Sequence, residues 1–184
     1  GPWRTPDLNI LIYIGAFILT FLTTTLAGVQ WLNKSPFELA YFSSGLPYSI
    51  ALLFVLLAHE MGHYIAARMH RVDTTYPFFI PFPAFYGFSP FGTLGAVIKI
   101  RQRVPGKKAL FDIASAGPIA GFIASLAVLV IGFVQLPGKE FLFTIHPEYA
   151  QLSEMPTGGL AFGNTLGYAF IAKFFAPAGA FIPP

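Results

Sequence analysis

The residues with the clearest chemical potential are His59, Glu60 and His63, which form a His-Glu-x-x-His sequence inside a long apolar stretch. In a helix, residues four apart lie on one face, about one turn apart. Two imidazoles in that arrangement can bind one Zn²⁺, and the glutamate beside the first can act as general base toward water activated by the metal. The spacing therefore predicts a zinc site with His59 and His63 as ligands and Glu60 as the catalytic base.

The same three residues also have a purely structural interpretation. In it, the two imidazoles bond to backbone groups in a core, and Glu60 pairs with Arg68 or another buried partner. The context argues against this, because ionisable residues inside a membrane-spanning helix are costly and usually mark a functional site. Three of them fall within five positions here, so we favour the metal site.

A third ligand is harder to find. Catalytic zinc sites normally have three protein ligands and one open position. His70 lies seven residues beyond His63, which is about 10.5 Å along a helix, so we exclude it. Asp73 could fold back from the adjoining loop, whereas Asp112 is interpreted as a charge near a helix N-terminus. The residues alone leave the third ligand open.

The composition predicts a membrane protein. Of 184 residues, 55% are hydrophobic and only 10% are charged, whereas a soluble domain is about 25% charged. The lipid bilayer is therefore an expected partner. A net charge of +3 gives no argument for nucleic acid, so we expect none. The chain has no cysteine, which excludes disulfides and thiolate ligands, and its oligomeric state is not determined by the sequence.

Three apolar runs are long enough to cross a bilayer as helices, which takes roughly 20 residues. They cover residues 10–32, 46–69 and 110–136. We therefore predict an α-helical integral membrane protein with about three transmembrane helices, a short membrane-associated β-strand or hairpin and an aromatic- and proline-rich loop. Residues 1–184 are expected to form a single membrane-embedded unit. Residues 1 and 2 resemble the remains of an affinity tag, so we expect the natural N-terminus to be missing.

The connection between the second and third runs has two parts. Residues 76–91 contain eight aromatic residues and four prolines, which exclude a continuous helix. This segment is either an interfacial loop with aromatic anchors or a re-entrant segment that walls a site. Residues 94–101 alternate with period two and predict a strand, with Gly92 and Gly95 allowing a turn before it. Gly95, Val97 and Ile98 are candidate substrate-binding residues if the edge of this strand accepts an unwound substrate, although it could simply pair with its own neighbours.

The remaining signals concern orientation and packing. Seven of the eleven Lys and Arg residues lie between positions 68 and 108, so the positive-inside rule places the connection 70–108 on the cytoplasmic or stromal side. Residues 160–175 are apolar but short, with Phe162, Leu166, Phe170 and Phe174 four apart, which predicts an interfacial amphipathic helix. In the third run, small residues four apart permit close approach of the motif helix or of any other helix: Gly117, Gly121 and Ser125.

Taken together, these residues resemble the site-2 protease family of intramembrane zinc metalloproteases. The resemblance covers about residues 46–136 and rests on three stretches in the family's order, which are His59–His63, Phe91–Ile100 and Asp112–Phe122. The proline- and aromatic-rich loop resembles most the plastid and cyanobacterial-like branch.

The resemblance implies an enzyme that hydrolyses peptide bonds within or near transmembrane helices of other membrane proteins. It implies Zn²⁺ held by His59, His63 and an Asp from a later helix. Gly117 and Pro118 are further candidate substrate-binding residues. The chain departs from the family at the third ligand, because no Asp follows Asp112. We therefore expect it to be truncated at its C-terminus and inactive alone. The alternative function is a non-catalytic membrane binding or assembly module that retains the motif.

Overall fold

In the computed structural model, residues 10–84, 90–151 and 165–177 are described. Within them, three helices are long and apolar enough to cross a membrane: α1 (Ile10–Trp31), α2 (Leu46–Met69) and α3 (Lys107–Val134). A 3₁₀ turn over Leu39–Gly45 leads directly into α2. The predicted class, an α-helical membrane protein with about three spans and a short β-hairpin, is confirmed, and α3 begins three residues earlier than its apolar run.

Helices α1 and α2 are each followed closely by a residue in the left-handed region, Asn33 at φ 54° and Arg71 at φ 58°. After α2, this conformation lets the amide of Val72 donate to the carbonyl of Ala67 at 2.8 Å, which satisfies a carbonyl of the last turn. The side chain of Gln102 donates to the carbonyl of Arg71 at 2.7 Å. The end of α2 is thereby tied to the segment that returns toward α3.

Two antiparallel strands, β1 (Phe78–Pro81) and β2 (Thr93–Val97), form a hairpin between α2 and α3. The register shifts between Ile80 and Pro81, opposite Gly95, whose φ of +105° favours glycine. Strand β2 ends at Val97, so the strand predicted over residues 94–101 is too long at its C-terminal end. Beyond Val97 the pairing is irregular, because the amide of Lys99 donates to the side chain of Thr75, at 2.9 Å, instead of to a backbone carbonyl.

The hairpin lies along the length of α1. Its aromatic residues pack edge-on against α1, with ring centroids 5.6 Å apart for Tyr13 and Phe78, and the indole of Trp31 donates to the carbonyl of Pro90 at 3.1 Å. Tyr13 and Trp31 are 18 residues apart, which is about 27 Å along a helix. This geometry favours the re-entrant alternative for the described part of residues 76–91; residues 85–89 lie outside it. The location of residues 70–108 on the cytoplasmic or stromal side of the membrane remains a prediction.

Hydroxyl groups line the contact between α1 and α2. Four threonines of α1 are buried, and each hydroxyl bonds to a carbonyl one turn earlier: Thr20, Thr23, Thr24 and Thr25. Thr24 also forms a hydrogen bond of 2.6 Å with the buried hydroxyl of Ser49 on α2. Hydrogen bonds between helices contribute about 0.6–2 kcal/mol in membranes, so this contact fixes α2 against α1.

The chain divides into two compact units, Gly1–Ser125 and Leu126–Pro184. The second contains the end of α3, a short helix α4 (Lys139–Ile145) and α5 (Leu166–Phe175). The buried face of α5 packs Ile171 and Ala172 against Phe133. Of the apolar residues that recur four apart in the sequence, three face outward: Leu166, Phe170 and Phe174. The fourth, Phe162, lies outside the described residues. The interfacial location of this helix remains a prediction.

Candidate metal centre

The two histidines of the motif converge on one point. His59 and His63 lie one turn apart on α2, and their Nε2 atoms are 3.1 Å apart. Two nitrogens bound to one tetrahedral Zn²⁺ at the usual bond lengths would be about 3.3 Å apart. The pair therefore fits two adjacent ligand positions around a single ion.

A backbone carbonyl of α3 orients the second imidazole. The Nδ1 atom of His63 is 2.7 Å from the carbonyl oxygen of Ile113. A carbonyl can only accept a hydrogen bond, so Nδ1 carries the proton and Nε2 keeps its lone pair. Metal-binding histidines commonly hold their second nitrogen in this way, which fixes the tautomer and the ring orientation. His63 is thus prepared to bind a cation through Nε2.

The small-residue ridge of α3 makes room for these two rings. A Cβ atom added to Gly117 would overlap the imidazole of His63, and one added to Gly121 would lie 3.1 Å from Nδ1 of His59. Of the two packing partners that the sequence allowed for this ridge, the structure therefore shows the motif helix. Helix α3 continues without interruption through Pro118.

Glu60 faces a cavity between α2, α3 and the hairpin. Its side chain is buried, and Ile98 lines the same cavity. The cavity has a volume of about 290 Å³. Among its lining residues are Glu60, His63, Val97 and Ile98. A candidate base, one metal-ligating imidazole and the end of strand β2 thus border the same space.

The other candidate substrate-binding residues occupy different positions. Gly117 contacts His63, as described above, but neither Gly95 nor Pro118 is among the described residues that line this cavity. A substrate-binding role for Gly95, Val97, Ile98, Gly117 and Pro118 remains a prediction.

The other ionisable residues near α2 have partners of their own. Nε2 of His70 lies 2.9 Å from a carboxylate oxygen of Asp112, and Asp73 lies 4.0 Å from Arg101. The interpretation of Asp112 as a helix N-terminal charge is wrong, because α3 begins at Lys107 and Asp112 falls in its second turn. Within the described part of the chain, no group of three His, Cys, Asp or Glu side chains is placed to hold a metal.

Sequence reasoning missed two features of this centre. The carbonyl of Ile113 has no signal in the sequence, because every residue type carries one. The pair of His70 and Asp112 joins the end of α2 to α3 across 42 positions of sequence. Both residue types were visible, but nothing in their spacing indicated that they would meet.

An apolar helix that carries His-Glu-x-x-His, packed against a small-residue helix and beside a β-hairpin, is the arrangement expected of a membrane metallopeptidase. Comparison with known families agrees. The family described as Peptidase family M50 matches residues 47–179, which is most of the chain. The chain belongs to this family, and the resemblance to site-2 proteases drawn from the sequence is confirmed.

Three similar proteins are named as probable chloroplastic zinc metalloproteases. EGY1 of Oryza sativa subsp. japonica is 38% identical over 96 residues, which cover 52% of this chain and 16% of that protein. EGY1 of Arabidopsis thaliana is 31% identical over 137 residues (70% and 23%), and EGY2 of the same plant is 32% identical over 100 residues (54% and 17%). The chain therefore spans less than a quarter of the length of each. No solved structure matches it.

Proposed function

We propose that this chain is part of a membrane-embedded zinc metalloprotease that hydrolyses peptide bonds within or near transmembrane helices of other membrane proteins. The observation that carries the proposal is the shared cavity, in which Glu60 and His63 meet the end of strand β2. Membership of Peptidase family M50 and the names of the plant relatives support a zinc protease.

In this mechanism the chain's own residues divide the work. His59 and His63 hold the cation through Nε2, and Ile113 keeps His63 in the tautomer that can do so. When bound, Zn²⁺ polarises the scissile carbonyl and makes water a nucleophile near neutral pH. The carboxylate of Glu60 accepts a proton from the attacking water and returns it to the leaving amine. The family resemblance implies that a third ligand, an Asp, belongs to this site.

The proposed substrate is a transmembrane helix that unwinds locally. Its peptide groups are hydrogen-bonded internally until it unwinds, and inside a membrane they then need new partners. The amide of Arg101 donates to the carbonyl of Asp73, and the amide of Thr75 donates to the carbonyl of Lys99, both at 2.9 Å. Alternation along a strand then turns the backbone groups of Ile98 and Ile100 to the opposite edge.

This opposite edge lies beside Glu60, because Ile98 and Glu60 line the same cavity. A substrate strand added here would bond to the backbone of Ile98 and bring its own peptide bonds toward Glu60 and the histidines. Strand addition recognises backbone and so demands little of the substrate sequence.

A non-catalytic membrane module is the second candidate. It is favoured by the hydrogen bond of His63 to Ile113, which would also satisfy an imidazole with a purely structural role. Metal content separates the two. About one Zn²⁺ per purified full-length protein supports the protease, whereas its absence from the folded protein supports the module.

The decisive variant is Glu60→Gln in the full-length protein that carries this chain. The amide keeps the size of the side chain but cannot accept the proton, so zinc content should be unchanged while cleavage of a reconstituted transmembrane substrate falls by about 10²- to 10⁴-fold. Glu38→Gln, at an exposed glutamate outside the site, is the matched control and should cleave normally. Undiminished cleavage by the Glu60 variant would rule out the proposed base.

A further inference from the structure

A second cavity, of about 650 Å³, borders the same stretch of chain as the Glu60 cavity. The two cavities share Val97 and Ile100 in their linings. The second cavity differs in chemistry, because its lining includes Tyr13, Lys99 and Arg101. A substrate segment beside β2 would therefore have the candidate catalytic groups near one side and two cations near the other.

Backbone hydrogen bonds fix the positions of Lys99 and Arg101 in the chain. The amide and carbonyl of Lys99 are both held by Thr75, at 2.9 Å each, and the amide of Arg101 is held by Asp73. Residues two apart in extended chain place their side chains on the same face, so Lys99 and Arg101 share one face. In an added strand, every second substrate side chain would fall on that face.

The charge of this cavity is only partly balanced by the described residues. Asp73 lies 4.0 Å from Arg101, and no acidic side chain is among the described residues that line the cavity. Among the described residues, Lys99 has no ion pair. Lys99 is exposed, so a charged group of another molecule can reach it, and opposite charges near a protein surface attract more strongly than in bulk water.

We infer that Lys99, supported by Arg101, selects substrates that carry a glutamate or aspartate in the unwound segment, near the cleaved bond. This inference rests on the proposed protease function and on strand addition at β2. A lipid phosphate could also approach Lys99. The second cavity shares Val97 and Ile100 with the Glu60 cavity, and this favours a carboxylate of the substrate over a lipid phosphate.

The test uses the full-length protein in phosphatidylcholine vesicles with a transmembrane substrate that carries Glu, Gln or Lys at one scanned position. The wild-type protein should cleave the Glu substrate about tenfold faster than the Lys substrate, measured as kcat/KM, and Lys99→Glu should invert that order. Lys99→Gln should abolish the preference. Lys108→Glu, on an exposed residue of α3 outside both cavities, should retain the wild-type order.

Three results overturn the inference. If Lys99→Glu retains zinc and cleaves all substrates in the wild-type order, Lys99 does not select the substrate, although the protease remains. If the order depends on adding phosphatidylglycerol and not on substrate charge, Lys99 is a lipid contact. If wild-type protein with bound zinc cleaves no substrate, the proposed function fails, and the inference fails with it.

Discussion

The two halves of helix α3 accommodate their neighbours in opposite ways. In the first half, several small residues lie toward α2, and Gly117 and Gly121 leave room for two imidazole rings. In the second half, large apolar side chains fill the contact with α5, and Phe133 is 4% exposed. Both halves are apolar enough to lie in a membrane, so hydropathy does not distinguish them.

The difference shows how a membrane helix can position polar groups. Lipid is as apolar as a leucine side chain, so helices associate in membranes through close packing and hydrogen bonds more than through burial from water. Where α3 has glycine, its backbone comes close enough for the carbonyl of Ile113 to accept a hydrogen bond from His63. Where it has Phe133, apolar side chains make the contact with α5.

The largest effect expected from this comparison is that of Gly117→Ala in the full-length protein. The added methyl group would overlap the ring of His63, so the ring must turn away from both Ile113 and the shared metal position. Disturbing the groups that orient a metal ligand typically costs about 10- to 100-fold in affinity. Zinc affinity, measured by competition with a chelator, should fall by at least that factor, and cleavage should fall with it.

Gly132→Ala is the matched control on the same helix, because no atom lies within 4 Å of the position that its methyl group would occupy. It should retain full zinc affinity and, as alanine favours helix, gain up to about 1 kcal/mol in stability. Equal zinc affinity in the two variants would show that the first half of α3 is not the close-fitting surface described above.

The second half of α3 should respond in stability and not in metal binding. Phe133→Ala removes a buried ring and leaves a cavity that costs about 3–5 kcal/mol, which a lower melting temperature in detergent would report. Zinc content should be unchanged. Phe122→Ala, at a ring that is 64% exposed, is the control and should melt like the wild type. Loss of zinc from the Phe133 variant would break the comparison.

Much of this arrangement was predictable because it depends on periodicity. Four-residue spacing places His59 and His63 on one face of a helix, and the same spacing of Gly117 and Gly121 predicts a close approach. Both predictions need only the geometry of a single helix. The length of the three apolar runs likewise determines the number of possible spans.

The parts that could not be predicted depend on tertiary contacts. Strand β1 was hidden because Pro77 and Pro81 flank its aromatic residues, and proline weakens a strand pattern although it is tolerated at strand ends and edges. The role of Ile113 depends on a backbone group that every residue has. The pairing of His70 with Asp112 requires knowing which helix faces carry them.

His63 in the first unit and His146 in the second have different hydrogen-bond partners. In the first unit, His63 is oriented by a backbone carbonyl. In the second, Nδ1 of His146 lies 2.9 Å from a carboxylate oxygen of Glu148. Both residues lie outside the candidate spans, and the Glu148 side chain is 60% exposed. Exposed pairs of this kind contribute little to stability. Removing His146 should therefore leave zinc content and melting temperature unchanged.

The remaining effect of that pair is a small one on pH behaviour. The pKa of Glu148 is lowered, first by a hydrogen bond from its own backbone amide and then by the hydrogen bond with His146. Because the folded state favours the carboxylate, this contribution is present above the pKa of an unfolded glutamate and is lost as the pH falls through the lowered value. An NMR titration of the carboxyl carbon should show Glu148 titrating below the ordinary glutamate range. His146→Ala should raise the midpoint only in part, because the backbone amide remains, and salt should weaken the part that His146 contributes. A midpoint restored fully to the ordinary value by that substitution would mean that the imidazole, and not the backbone, holds this carboxylate.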